Sequence, residues 1–258
     1  MQDVSFRIPA IARKAIDAAA GDRILAVLAA MLLSATAFTS TSVDAQTLSF
    51  GSTGAGGSGA WDNTTVDWFN GSTAVPWASG ATAVFGGAAG TVTVSGTVAV
   101  GGATFNTNGY TITGGTLTLS GTTPTIATNA GASATVNSLL AGSATLVKTG
   151  AGTLTINNAA NTYTGGTTVS QGSLVFGGGG KGALGSGTVT LGDAHSGTSN
   201  ISLLANFPNF LSGQNIPNNI VVSNSGTGTV SIGTTPFNPG SNGTQFAGTI
   251  TLNKDVTL

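Results

Sequence analysis

The sequence has no cysteine and no glutamate, and only 6% of its 258 residues are charged. Without cysteine, neither a disulfide framework nor a thiolate metal site can form. Four of the seven basic residues precede residue 24, and the other three are the scattered lysines Lys148, Lys181 and Lys254. Three isolated lysines cannot neutralise a phosphate backbone, so we expect no binding to nucleic acid.

Long apolar runs are also scarce, and the longest extends from Ile24 to Phe38. It is shorter than the roughly 20 residues that span a bilayer. Basic residues up to Arg23 precede it, and small residues ending at Ala45 follow it, which is typical of a secretory signal. The alternative is an uncleaved membrane anchor. We predict a helical signal peptide over residues 1–45, cleaved after Ala45, and export through the inner membrane.

Glycine, by contrast, is abundant, with 41 residues, and hydrophobic residues make up 40% of the chain. From Ala83 onward, apolar residues alternate with threonine or serine in short runs that end at glycine, as in Thr91–Gly96 and Tyr110–Gly115. Such alternation predicts strands with one apolar and one hydroxylated face, and the glycines suit tight turns. Further strands are predicted at Thr145–Lys148, Thr153–Ile156, Thr167–Val169, Ser173–Phe176, Thr188–Leu191, Ile220–Val222, Thr229–Ile232 and Thr249–Leu252.

Short strands with glycine-rich corners and no helical segment between them predict an all-β fold, a parallel β-helix. We expect coils of about 20 to 25 residues and roughly nine coils. Residues 46–80 differ from the rest because they hold all three tryptophans, Trp61, Trp68 and Trp77. An open end of a stacked β structure needs a cover, so we predict an N-terminal cap there. Stacking of the indoles on carbohydrate is the functional alternative.

One stretch of about thirty residues is much more specific than this general pattern. It runs from Leu146-Val147-Lys148-Thr149-Gly150 through Thr153-Leu154-Thr155-Ile156 and Asn161-Thr162-Tyr163 to Val169 and Gly172-Ser173-Leu174-Val175. It resembles the autotransporter-associated β-strand repeat. The resemblance implies a parallel β-helix passenger that is exported and displayed at the cell surface, with residues 81–258 as the repeat region and 145–176 as its best repeat.

Side-chain directions in this repeat follow from the alternation and from residue type. We expect the apolar residues Leu146, Leu154, Ile156, Val169 and Leu174 to point into the coil. The glycines Gly150, Gly152, Gly165 and Gly166 are predicted to form corners. Asn161 and Tyr163 fit a corner before the next strand, where an amide can bond turn backbone and a ring can cover it. Lys148 is expected to point outward.

Groups that could support catalysis are few. Asp62 and Asp67 form the one close pair of carboxylates in the predicted mature chain, and turn formation accounts for them better than acid–base chemistry. His195, the one histidine, lies in a loop-like stretch. The run Gly177–Gly182 lacks the spacing and the Ser or Thr of a phosphate-binding loop. No aspartate recurs after the glycines as calcium-binding repeats require. We therefore predict no enzyme activity, no cofactor and no metal site.

The predicted function is that of a structural or adhesive passenger segment, a β-helical stalk. Its expected partners are an outer-membrane translocator barrel, in the same parent chain or separate, and host-surface or matrix ligands. The alternative function is a carbohydrate-binding or carbohydrate-active module that uses Trp61, Trp68 and Trp77. Because no barrel sequence follows Leu258, we expect the repeat region to be truncated at its C-terminus. Without a translocator the chain would stay in the periplasm.

Overall fold

The chain winds in successive coils, and each coil adds one strand to each of two parallel ladders. The computed structural model describes residues 46–177, 182–206, 215–235 and 245–258. All of them belong to one compact unit, residues 45–258. The predicted signal peptide lies outside the described residues. Within the described ranges no helix is long and apolar enough to cross a membrane.

Twenty-two strands are described, and their alternating sequences match the two-residue period of side chains along a strand. In chain order they are β1 (Thr47–Phe50), β2 (Gly59–Trp61), β3 (Trp68–Phe69), β4 (Ala74–Val75), β5 (Thr82–Phe85), β6 (Thr91–Val100), β7 (Gly102–Phe105), β8 (Tyr110–Leu119), β9 (Thr125–Thr128), β10 (Ser133–Val136), β11 (Leu139–Ala141), β12 (Leu146–Thr149), β13 (Thr153–Ile156), β14 (Thr167–Val169), β15 (Gly172–Gly177), β16 (Val189–Leu191), β17 (Ile201–Asn206), β18 (Asn215–Ile216), β19 (Ile220–Val222), β20 (Val230–Thr234), β21 (Gln245–Phe246) and β22 (Ile250–Leu252).

The first sheet has the strand order β22-β19-β16-β14-β12-β9-β7-β5-β1-β3-β4. The second has the order β2-β6-β8-β10-β13-β15-β17-β20, with β11 paired to the second half of β8. From β5 to β17, strands that follow one another along the chain alternate between the two sheets, except that β10 and β11 both lie in the second. A short third ladder joins β18 to β21. All pairs are parallel except β1 with β3 and β3 with β4. The arrangement is all-β and consistent with the predicted parallel β-helix.

The register gives the length of each coil. Thr82 pairs with Gly102, an offset of 20 residues, and Gly102 pairs with Thr125, an offset of 23. Toward the C-terminus Val189 pairs with Ile220, an offset of 31. The first sheet holds nine parallel rungs, β1 to β22 without β3 and β4. The predicted number of coils is therefore confirmed, and the predicted coil length holds for the middle of the chain, whereas the C-terminal coils are longer.

The core lies between the two sheets and is filled by the apolar half of each alternating strand. In β13, for example, Leu154 and Ile156 are buried while Thr153 and Thr155 face outward. Burying one such aliphatic side chain stabilises the fold by about 1.5 to 3 kcal/mol. The strand at each rung is too short to be stable alone, and it is held by its neighbours above and below.

Two strands differ from the prediction of short segments that end at glycine. β6 and β8 each contain ten residues and continue through Gly96 and through Gly114-Gly115. The ladder between them shifts register between Val94 and Thr97. Gly96 and Gly114 have positive φ angles of 69° and 76°. Here the glycines bend each strand around a corner, and the register shift is the local irregularity that this corner introduces into the ladder.

Candidate functional site

The stretch singled out in the sequence, residues 146–176, forms four strands on two consecutive coils: β12 and β13, then β14 and β15. Leu146 in β12 lies beside Thr167 in β14, and Leu154 in β13 lies beside Leu174 in β15. The five apolar residues predicted to point inward are confirmed, since each is 0% exposed: Leu146, Leu154, Ile156, Val169 and Leu174.

Lys148 is where the prediction was wrong, because its side chain points inward and is 0% exposed. In the first sheet it lies between Ile126 of the preceding coil and Val169 of the following coil. Both neighbours are buried aliphatic residues. The lysine stem therefore occupies a place that aliphatic side chains fill in the adjacent rungs, as long basic side chains can do with their methylene groups.

The ammonium group of Lys148 is held by backbone carbonyl groups at the corner of the coil. Nζ donates to the carbonyl oxygens of Thr149 at 2.8 Å, Gly150 at 2.7 Å and Gln171 at 3.0 Å. Three donors and three acceptors satisfy the ammonium completely. Because Gln171 belongs to the next coil, Lys148 ties two coils together.

Electrostatics at this corner are set by burial. Burial lowers the pKa of Lys148 to about 7 from the ordinary 10.5, because a charged ammonium loses its hydration there. In the described part of the chain no carboxylate lies within salt-bridge distance of it. The carbonyl oxygens are thus the groups that stabilise the charged form.

Close approach of backbones explains the glycine at this corner. A Cβ atom on Gly150 would lie 2.2 Å from the carbonyl oxygen of Thr128, and the φ angle of Gly150 is 74°. Gly150 N also donates to the side-chain amide oxygen of Gln171 at 3.1 Å. The predicted corner role of Gly150 is confirmed by its position between β12 and β13.

Asn161 and Tyr163 occupy the opposite corner of the same coil, as predicted. The Asn161 amide oxygen accepts from Leu140 N at 2.8 Å, and its Nδ2 donates to the Ala183 carbonyl at 2.9 Å. These partners lie one coil before and one coil after it. Tyr163 is 0% exposed and its hydroxyl bonds Thr167 Oγ1 at 2.7 Å. The amide therefore joins three coils and does more than cap its own turn.

Asn218 is a second buried asparagine that bonds the backbone of the preceding coil, and its role was not predicted from the sequence. It is 4% exposed, and its Nδ2 donates to the carbonyl groups of Gly185 at 3.1 Å and Gly187 at 2.8 Å. Its sequence, Pro217-Asn218-Asn219, has little in common with the surroundings of Asn161. The signal that could have found it is an asparagine shortly before a strand of the first sheet, Ile220–Val222.

His195, Asp193 and Ser170 lie close together, but their hydrogen bonds do not form a catalytic triad. Ser170 Oγ donates to Asp193 Oδ2 at 2.6 Å, whereas His195 Nδ1 lies 3.8 Å from the same oxygen. A serine nucleophile needs an imidazole to accept its proton. The His195 side chain is instead 86% exposed, as expected for a loop residue.

Asp193 organises the loop around it. Burial raises the pKa of the Asp193 carboxyl, but hydrogen bonds from Ser170, from the His195 amide and from Ser196 outweigh this and hold the pKa below its ordinary value. The carboxylate thus stays ionised and fastens the corner after β16 to the corner after β14.

The carboxylates of the tryptophan segment also bond backbone. Asp62 Oδ1 accepts from Thr64 N at 2.7 Å and Thr65 N at 2.6 Å, and these hydrogen bonds hold the pKa of Asp62 far below its ordinary value. Asp67 Oδ2 accepts from Ala60 N at 3.0 Å. The turn-forming interpretation agrees with the geometry of Asp62, which bonds the second and third residues after it, whereas Asp67 bonds the backbone of a residue seven positions before it. Of the run Gly177–Gly182, residues 178–181 lie outside the described residues.

The three tryptophans pack against one another inside the first coil. Trp61 and Trp68 have ring centres 5.1 Å apart, and Trp68 and Trp77 have ring centres 4.5 Å apart. Their exposed fractions are 1%, 0% and 4%. Stacking on a sugar needs an accessible ring face, and none of these three indoles offers one.

Among the described residues, no group of three or more histidine, cysteine or acidic side chains could share a metal ion. An apolar space lined by Trp61, Phe105, Leu119 and Val136 has a volume of about 20 Å³. That is about the room of one water molecule.

Comparison with known proteins finds a family match over the stretch that contains both Lys148 and Asn161. Residues 146–176 match the family model described as Passenger-associated-transport-repeat. Residues 146–176 therefore carry the pattern of this repeat. The resemblance inferred from the sequence is thereby confirmed, and the repeat coincides with the two coils of β12 to β15.

A relative extends the similarity well beyond that repeat. The chain is 41% identical over 128 residues to "Adhesin BmaC autotransporter" of Brucella suis biovar 1 (strain 1330). The match covers 47% of this chain and 4% of the relative. The matched region thus corresponds to a small part of that adhesin's length. No solved structure matches the chain significantly.

Proposed function

We propose that this chain is an exported passenger segment of an autotransporter-type surface protein and forms a β-helical stalk with an adhesive role. The observation that carries the proposal is the passenger repeat at residues 146–176, which lies on two coils of a longer uniform stack. The same ladders continue through coils on both sides of that repeat. The similarity to an adhesin supports the adhesive role.

The physical properties of the stack suit a spacer that presents a surface. Its outer faces carry hydroxyl side chains, and the described residues hold only a few charges. Parallel coils add length without adding a separate core, since each coil contacts mainly its neighbours. An enzyme would require convergent acid–base groups, and the nearest arrangement, Ser170 with Asp193 and His195, lacks the required geometry.

The proposed domain organisation follows from this function. Residues 1–45 are proposed as a signal peptide, residues 46–80 as an N-terminal cap, and residues 81–258 as the repeat region. The proposed partner is an outer-membrane translocator barrel, in the same parent chain or separate, with host-surface or matrix molecules as ligands. The proposed location is the cell surface.

Geometry at the N-terminal edge supports the cap. There the first sheet ends in the antiparallel strands β3 and β4 instead of another parallel rung. The buried indoles lie beside this edge, with Phe50 in contact with Trp68 at a ring distance of 5.1 Å. An antiparallel hairpin and a cluster of large rings hinder the addition of another coil to that end, as a cap should.

Display at the surface is the experiment that tests the proposal. The full chain would be fused before a translocator barrel, and surface exposure would be measured by antibody labelling and protease cleavage of intact cells. N-terminal sequencing should begin at Gln46. Adhesion of these cells to immobilised matrix proteins would be compared with cells that carry the barrel alone.

A pair of variants separates folding from surface chemistry. Leu154→Asp buries a charge in the core and should abolish both stable display and adhesion, whereas Val147→Asp, on the half-exposed side of β12, should preserve display. Cells that display the chain in protease-resistant form but adhere no better than barrel-only cells would contradict the adhesive role. Retention of the chain inside the cell would contradict the passenger assignment.

A further inference from the structure

The turn between β3 and β4 contains an Asn70-Gly71 step, and we propose that Asn70 is a site of spontaneous deamidation in the folded protein. Asn70, Gly71, Ser72 and Thr73 are all exposed. Asn-Gly is the least hindered sequence for this reaction because glycine has no side chain to shield its backbone nitrogen. The inference concerns covalent chemistry and is independent of the adhesive role.

The reaction needs only water as a co-reactant. The backbone nitrogen of Gly71 attacks Cγ of Asn70, and the bond from Cγ to Nδ2 breaks. The proton from Gly71 leaves with Nδ2 as ammonia, and a cyclic succinimide remains. Water then opens the ring at either carbonyl, which yields aspartate or, with the backbone passing through Cγ, isoaspartate.

The structure supplies groups that favour the attack. Asn70 Oδ1 accepts hydrogen bonds from Ser72 N at 3.0 Å and Thr73 N at 2.9 Å. Negative charge develops on this oxygen as the nitrogen adds to Cγ, and two fixed N–H donors stabilise such an oxyanion. Within the described residues the N–H group of Gly71 has no hydrogen-bond acceptor, so it is free to react.

A second Asn-Gly sequence, Asn108-Gly109, has a different hydrogen-bond environment and serves as an internal comparison. Asn108 and Gly109 are also exposed, and Gly109 also has a positive φ angle, 100° against 94° for Gly71. Gly109 N, however, donates to the Ser133 carbonyl at 2.8 Å, and Asn108 Oδ1 accepts from the Ser133 hydroxyl. The backbone nitrogen of Gly109, which would be the nucleophile, is thus engaged, whereas within the described part of the chain that of Gly71 is not. Reaction there requires this hydrogen bond to break first.

Deamidation at Asn70 alters the turn of the β3–β4 hairpin, which forms the N-terminal edge of the first sheet beside the buried indoles. It adds a negative charge, and isoaspartate also lengthens the backbone between Phe69 and Gly71. Both changes disturb the turn that pairs Phe69 with Ala74. The adjoining Trp68 is fully buried and reports such a disturbance through its fluorescence.

The test is peptide mass spectrometry of the full chain incubated at mildly alkaline pH, folded and in concentrated urea. In urea Asn70 and Asn108 should deamidate at similar rates, and these rates give the reactivity of each Asn-Gly sequence in the unfolded chain. In the folded protein Asn70 should convert about two- to tenfold faster than Asn108, the range expected from the net free energy of one backbone hydrogen bond. Equal rates at the two sites in the folded protein, or slower conversion at Asn70, would overturn the proposal.

Two variants test whether Asn70 is the source of the observed changes and whether the Gly109 hydrogen bond protects Asn108. Asn70→Ser keeps a turn-forming side chain and removes the reactive amide, so the mass change and any fluorescence change should both disappear. Ser133→Ala keeps the backbone carbonyl that protects Gly109 and frees the Asn108 side chain. Continued protection of Asn108 in this variant supports the role of the Gly109 hydrogen bond, and conversion as fast as at Asn70 would show that this hydrogen bond does not control the reaction.

Discussion

The buried ammonium of Lys148 should make the stability of the fold depend on pH between neutrality and pH 9. The pKa of Lys148 is about 7 in the folded chain and 10.5 for an ordinary lysine, which we assign to the unfolded chain. Between these two values the unfolded state holds a proton that the folded state has lost. The free energy of unfolding therefore rises with pH in this window.

The size of the effect follows from the same two values. Each pH unit inside the window contributes about 1.4 kcal/mol, so the gain from pH 7 to pH 9 is about 2 to 3 kcal/mol. Burial raises the pKa of Tyr110 and of Tyr163, so both phenols remain protonated over this range. The shifted pKa values of Asp62 and Asp193 lie well below it.

Urea unfolding, followed by the fluorescence of the buried tryptophans at pH 7, 8 and 9, measures this dependence. The wild-type midpoint should rise with pH, and Lys148→Met, which keeps an unbranched apolar stem, should have a flat profile. Lys254→Met is the matched control, since Lys254 also donates to backbone carbonyls but is only half-buried. A flat wild-type profile, or an equal rise in the Lys148→Met variant, would refute the reasoning.

Three substitutions, two of them with a matched control, test the packing of the repeat by the same unfolding assay. Leu154→Ala should cost about 2 to 5 kcal/mol because it opens a cavity in the core, whereas Val147→Ala, on the half-exposed face, should cost less than about 1 kcal/mol. Gly150→Ala should destabilise more than Gly121→Ala, since both have positive φ but only a Cβ at Gly150 meets backbone atoms; equal losses would argue against the close-approach explanation. Asn161→Ala leaves a buried N–H and a buried carbonyl without their partner and should cost about 2 to 4 kcal/mol, and a loss below about 0.5 kcal/mol would contradict the bridging role.

Much of the fold could be predicted because the sequence alternates with a period of two. The strand Thr153–Ile156 was predicted with the bounds that the structure has, and so were Thr167–Val169 and Ile220–Val222. Alternation fixes which face is apolar, and the spacing of glycines fixes the corners. In the middle of the chain the coils have similar lengths, with offsets of 20 to 23 residues, so the pairing partners there follow from the spacing of the strands.

Lys148 shows where residue type misled the prediction. Alternation in Leu146-Val147-Lys148-Thr149 places Lys148 on the same face as Leu146, which is buried. The outward prediction followed the preference of lysine for water, which usually decides. Here the carbonyl oxygens at the corner provide the missing solvation, and they are contributed by backbone 23 residues away as well as by neighbours. A pattern within one strand does not contain that information.

The alternation of apolar and polar residues also did not predict the antiparallel strands at the N-terminal edge or the greater length of the C-terminal coils. The antiparallel pairing of β3 with β4 depends on a four-residue turn after Phe69 that carries no distinctive alternation. The offset of 31 residues between Val189 and Ile220 includes residues 207–214, which lie outside the described residues. Insertions at a corner leave the strand pattern unchanged, so periodicity alone does not reveal them.

The parallel stacking of the coils has a mechanical consequence. The ladder hydrogen bonds run from each coil to the next, so a pulling force that separates the first coil from the last acts along these bonds. Loaded in that direction, bonds break a few at a time and the coils peel away one after another. A coil of 22 residues, such as the one from Thr167 to Val189, would release about 75 Å of chain. A tether built this way lengthens in steps under load and keeps its remaining coils intact.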